Sequence, residues 1–124
     1  MSDNCFPKEE KLISRKQIRY LFSEGKRFYK DPINIIYCKS EKKLERGVQV
    51  LIGASKKRFK KASQRNRIKR LLREAYRLER KKFHEKSPPL YIGFLYANNK
   101  IESLDFLRTV IKEALNIISQ EIKS

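Results

Sequence analysis

The sequence is poor in residue types that usually carry chemistry. It has two cysteines, Cys5 and Cys38, and no C-x-x-C pair. Two such thiols build no disulfide scaffold. It has one histidine, His84, and no D-x-D or H-x-x-x-H cluster. A protein nuclease would need an acid–base pair or a set of metal ligands. No catalytic residue and no metal site are therefore expected on this chain. Glu9-Glu10 is an isolated pair, and Glu74 and Glu79 lie where they tune a helix by ion pairing. Long apolar runs are missing too. The longest is Leu90 to Ala97, eight residues, where a membrane span needs about 18. No basic n-region followed by an apolar h-region opens the chain, so reduced thiols and a cytoplasmic location are expected.

Acidic residues are the last scarcity. Fourteen Asp and Glu stand against 31 Lys and Arg, a formal charge of +17. The 124 residues, 40% of them apolar, fit one domain with one small core. The charge is concentrated. Residues 1–54 carry 12 basic and 7 acidic residues, residues 55–86 carry 15 and 3, and residues 87–124 carry 4 and 4. Folding the middle quarter costs self-repulsion, which a polyanion relieves. Nucleic acid is the leading partner and an anionic membrane surface the second.

Residues 1–13 read as a loosely held arm, although Leu12 and Ile13 have a side to pack. Ser14 opens a helix, with Gln17 completing a capping box. Ile18, Leu21 and Phe22 form its apolar stripe, and Gly25 is expected to end it in the left-handed conformation. Lys26 to Tyr29 is an edge strand, Asp31-Pro32 a turn, Ile33 to Lys39 a strand and Val48 to Ala54 another. The last two read as a hairpin. A basic loop, Ser55 to Lys61, precedes a helix from Ser63 to Phe83. Leu90 to Tyr96 is a buried-type strand, and a helix over residues 103–122 has a clean 3.6-residue apolar period. The order predicts an α/β (α+β) sandwich, α-β-β-β-α-β-α, with a small mixed sheet and helices packed on it.

The helix after the basic loop carries the sharpest signal. At 100° per residue, Ile68, Leu71, Leu72, Ala75 and Leu78 form a buried stripe. Asn66, Lys69, Arg70, Arg73, Arg77 and Arg80 share an opposite face about 100° wide. Successive members lie one turn, about 5.4 Å, apart, a scale close to the phosphate spacing of an RNA strand. Arginine grips phosphate with a planar fork and stays charged. A merely solvated face normally mixes signs at i, i+4; this one does so little.

The segment Ser55-Lys56-Lys57, seven residues, then Arg65-Asn66-Arg67-Ile68-Lys69-Arg70-Leu71-Leu72-Arg73-Glu74 resembles the signature of the bacterial ribonuclease P protein subunit. Ile18-x-x-x-Phe22-x-x-Gly25-Lys26-Arg27-Phe28 resembles that family's first helix, glycine and basic strand. The resemblance covers nearly the whole chain. It implies a protein that does not cleave. A catalytic RNA, using Mg²⁺, removes the 5′ leader of precursor tRNA. It implies RNA binding by Arg65, Asn66, Arg67, Lys69, Arg70 and Arg73, to which the helical face adds Arg77. It implies leader binding in a cleft between the first helix and the sheet, by Phe22, Tyr37, Lys56 and Lys57 with Ile18 at the family's aromatic position. It also implies a left-handed β-α-β crossover, against the usual rule. No cofactor on the protein itself, no membrane and no obligate protein partner are expected. Leu90 and Tyr96 depart from the family's usual residues on the last strand, so no leader contact is assigned to them.

Three rivals fit less well. A ribosomal protein would more often keep its charge in a tail. A membrane module needs a protruding apolar face, and here the apolar stripe serves the core. A sequence-specific DNA binder needs base-edge readout, which a phosphate-heavy face does not supply.

Overall fold

The central strand explains the topology. In the computed structural model, which describes residues 12, 14–40, 47–55, 57–81, 83 and 87–123, the elements are α1 (Arg15–Glu24), β1 (Lys26–Lys30), β2 (Ile33–Lys39), β3 (Val48–Ala54), α2 (Ala62–Glu79), β4 (Leu90–Tyr96) and α3 (Leu104–Lys123). β4 is buried at six of its seven positions. A strand so apolar on both faces belongs inside a sheet. It sits between β2 and β3 in the order β1-β2-β4-β3, antiparallel to β2 and parallel to β3. The expected hairpin of β2 with β3 is therefore corrected. The hairpin is β1 with β2, closed at Asp31-Pro32.

Alternation along the strands sorts the side chains onto two faces. Ile33, Ile35 and Tyr37 of β2 join the main core, with Ile68, Leu72 and Tyr76 of α2 and Leu107, Ile111 and Ile118 of α3. Ile36, between them, joins Leu12, Leu21 and Tyr91 in a smaller cluster under α1. Thus α2 and α3 cover one face, and the ten-residue α1 covers part of the other. Asn34 on that second face stays exposed, and Leu95 and Gly53 are half-buried. Leu12 N–H donates to Val50 O at 3.0 Å, which occupies part of the β3 edge. The N-terminal arm is thus anchored at Leu12, and residues 1–11 lie outside the described residues.

Ser14 caps α1 as the capping pattern predicts, its hydroxyl accepting from Gln17 N–H at 3.4 Å. Gly25 ends the helix for a different reason than expected. Its backbone is extended, with φ −74° and ψ 148°. A Cβ there would lie 2.5 Å from Leu21 O and 2.6 Å from Ile36 Cγ1. Glycine is required by close approach, not by handedness. Gly47 is the residue with a left-handed φ, +70°.

Candidate nucleic-acid interface

The buried stripe of α2 is Ile68, Leu72, Ala75 and Tyr76, with Leu71 packed at its margin. Leu78, expected in the core, is 38% exposed. Tyr76 replaces it because the sheet and α3 both lie on the Tyr76 side, where its ring meets Phe94 at 5.7 Å between centroids. This turns the opposite face outward. Asn66, Arg67 and Arg70 are exposed, and Lys69 and Arg73 half-buried. Arg67, Lys69, Arg70 and Arg73 have no hydrogen-bond or ion-pair partner among the described residues. Four unpaired cations on successive turns repel one another and attract an anion to the same surface.

Two predicted members of the face behave otherwise. Arg65 lies on the helix between Leu72 and Tyr76 when the turn is unrolled, beside the core. Its guanidinium donates to Phe59 O at 2.7 Å and Lys60 O at 3.0 Å. Phe59 is buried, its ring tilted against Tyr96 with centroids 6.0 Å apart. Arg65 thus fastens the basic loop to the helix. Arg77 is gripped bidentately by Glu74, at 2.9 and 2.7 Å. Arg77 is thus one of the few cations of this face with an acidic partner, as the sign pattern predicts. The hydrogen bond from Arg77 holds the Glu74 carboxyl below its ordinary range. A depressed carboxylate contributes stability that is present above its unfolded pKa and lost as pH falls through the folded one. For a surface i, i+3 pair this is about 0.5 kcal/mol. Glu74→Gln is therefore expected to barely change thermal unfolding at pH 7. By freeing Arg77 and removing a negative charge, it is expected to tighten RNA binding about two- to fivefold at low salt. Filter binding checks this; weaker binding would mean that the pair itself contacts RNA.

The second surface lies between α1 and the open part of the sheet. Ile18 and Phe22 are half-buried on the margin of the small cluster, with Cys38 and Leu51 below them. Tyr37 is not there. It is 7% exposed and packs in the main core, edge-on to Phe28 at 6.1 Å. Burial and the nearby Glu121 carboxylate raise its phenol pKa. Its expected place facing a leader strand is corrected, because one step along a strand reverses the face. Ile36 holds the α1-facing position. Lys57 is exposed in the basic loop, its N–H donating to Ser55 Oγ at 3.1 Å. Lys56 and His84 lie outside the described residues.

Other residues at this surface escaped the sequence reading. Arg27 donates to Phe22 O at 2.8 Å. Tyr29 is 54% exposed, with its hydroxyl on Asp31 Oδ1 at 2.5 Å. That hydrogen bond raises the Tyr29 pKa above its ordinary value. Asn98 also donates to Asp31, at 3.2 Å, and Arg58 to Asn99 Oδ1 at 3.3 Å. These contacts tie the β1–β2 turn and the basic loop to the segment after β4. The available signal was the alternation Arg27, Tyr29 in an edge strand. Among the described residues no three His, Cys, Asp or Glu side chains gather, and no helix is long and apolar enough to cross a membrane.

Fold and surface together define a basic α/β sandwich with one cationic helix face and one half-open sheet face. Residues 6–121 match the sequence model of the family described as Ribonuclease P. The ribonuclease P protein component of Porphyromonas gingivalis is 30% identical over 121 residues, covering 94% of this chain and 88% of that one. That of Dictyoglomus thermophilum is 38% identical over 102 residues, covering 82% and 79%. The solved ribonuclease P protein of Staphylococcus aureus superposes with a TM-score of 0.72 at 17% identity, over 88% of this chain and 94% of that one. That of Thermotoga maritima gives 0.69 at 21%, over 86% and 94%. The chain belongs to the ribonuclease P protein family and is a component of that tRNA-processing endoribonuclease.

Proposed function

We propose that this chain is a single RNA-binding domain that holds the catalytic RNA on α2 and the 5′ leader of precursor tRNA in the groove beside α1. The carrying observation is the row Arg67, Lys69, Arg70 and Arg73, unpaired among the described residues on one helix. Phosphate contacts of this kind give affinity with little sequence information. Asn66 adds a donor and an acceptor to the same face, one turn into the helix. Arg65 acts by holding the basic loop, and Arg77 joins the face when Glu74 releases it.

In the groove, Phe22 supplies an aromatic wall and Ile18 an apolar one, and the loop lysines Lys56 and Lys57 are assigned to the leader's phosphates by their place in the sequence motif. Stacking accepts any base, as a leader of variable sequence requires. Tyr37 takes no part in this reading. Cleavage belongs to the RNA and its Mg²⁺, and the protein supplies binding and charge neutralisation in the cytoplasm.

Reconstitution tests the proposal. Added to the ribonuclease P RNA of the same organism at low Mg²⁺, the protein is expected to restore cleavage of precursor tRNA. No rescue by folded protein would sink it. Phe22→Leu is expected to weaken precursor tRNA more than mature tRNA. Equal losses would count against the groove.

A further inference from the structure

The turn from α1 into β1 is tight because Gly25 has no Cβ to collide with Leu21 and Ile36. The chain therefore enters β1 at once, and alternation divides its first residues. Phe28 goes to the main core, packing on Tyr37, while Arg27 goes to the α1 side. There Arg27 folds back over the last turn of the helix. One nitrogen, Nη2, donates to Phe22 O at 2.8 Å, and the guanidinium carbon stands 5.6 Å from the centre of the Phe22 ring. That carbonyl is one of the helix-end acceptors lacking an intrahelical donor. The last turn of α1 has no basic residue of its own, so Arg27 also supplies the cation that a helix C-terminus favours.

This cap leaves most of the guanidinium unused. Arg27 is exposed and forms no ion pair among the described residues. Its guanidinium carbon lies over the Phe22 ring, and four of the five N–H donors remain after the carbonyl is satisfied. A guanidinium plane stacks on a nucleobase as an aromatic ring does, and it adds attraction for the adjoining phosphate.

We propose that Arg27 is a further leader-binding residue, and that the stacking surface offered to an unpaired leader base is the Arg27 guanidinium layered on Phe22. This rests on the groove reading above and names the group that meets the strand. Ile18, branched and uncharged, gives no comparable platform on the same helix. The layered pair does without a second aromatic there. It reads no base identity, which suits a single strand of arbitrary sequence.

Arg27→Lys keeps the charge, and Arg27→Gln keeps an amide able to cap Phe22 O. Both lose the guanidinium plane. In reconstituted holoenzyme, each is expected to weaken precursor tRNA about fivefold or more, the lower end of one base stack. Mature tRNA affinity, binding of the ribonuclease P RNA and the unfolding midpoint of the protein are expected to stay within twofold or within error. With an abasic leader nucleotide at the stacked position, wild type and Arg27→Lys are expected to bind alike. Full discrimination by Arg27→Lys would overturn the proposal, since charge alone would suffice. Equal losses on precursor and mature tRNA, or a lowered midpoint in both variants, would reduce Arg27 to a helix cap. Phe22→Leu separates the two levels. If it loses leader discrimination while the Arg27 variants do not, only the Arg27 assignment falls. If neither set moves discrimination, the groove reading falls with it.

Discussion

Replacing Arg70 and Arg73 together with glutamine is expected to weaken binding to the ribonuclease P RNA by about 30- to 150-fold at moderate salt. That follows from about 1–1.5 kcal/mol for each of the two solvent-exposed phosphate contacts removed, the net worth of an ordinary hydrogen bond in water. Both arginines lie on the outward face of α2 without partners among the described residues, so their replacement disturbs no bond within the fold. The salt dependence makes the result specific. An interface with six to eight phosphates gives a log–log slope of roughly −4 to −7, and taking away two of those phosphate neutralisations flattens it by about 1.4–1.8. Changing the same residues to lysine is expected to keep the slope and reduce the affinity in part, because lysine is a point charge without the fork. Binding measured from 50 to 300 mM salt, about the range where counterion release is resolved, checks both. An unchanged slope in the glutamine pair would remove α2 from the interface.

Gly25→Ala is expected to destabilise the protein by about 3 kcal/mol, at the upper end of overpacking effects. The added methyl meets Leu21 O at 2.5 Å and Ile36 Cγ1 at 2.6 Å. A helix carbonyl cannot swing aside, so α1 must lift from the sheet. Lifting α1 also opens the groove, so leader discrimination is expected to fall before binding of the ribonuclease P RNA does. Gly47→Ala is the control. No atom lies within 4 Å of a Cβ there, but φ is +70°. Its expected cost is about 1 kcal/mol, conformational rather than steric, with no effect on the groove. Chemical denaturation measures both. Equal costs would mean that the close approach at Gly25 relaxes freely.

The elements were legible because each depends on local pattern. The Ser14 cap, the apolar period of α3 and the unbroken run of β4 are all read within one window of residues. The cationic face of α2 was legible for the same reason: helical geometry alone puts Asn66, Arg70 and Arg73 on one side. The pairing of strands was not. β2 and β3 follow one another in the chain, yet β4 inserts between them. Its demand for burial on both faces outweighs the convenience of a hairpin. Nor was the facing of Tyr37 legible. Ile36 and Tyr37 are adjacent, aromatic or branched, and equally suited to a strand; only the packed helices tell which side is which.

Partnerships followed the same division. By itself the sequence determined where the charge lies, +12 within residues 55–86, and that a helix would array it, since spacing along a helix is set by backbone hydrogen bonds. Only the tertiary structure decided which cations remain free. Arg65 is drawn to the carbonyls of Phe59 and Lys60 because Phe59 buries itself nearby. Arg27 is laid on Phe22 because the close approach at Gly25 turns the chain back on its own helix. Charge is a property of the residue, whereas its availability depends on which groups packing brings within about 3 Å of it.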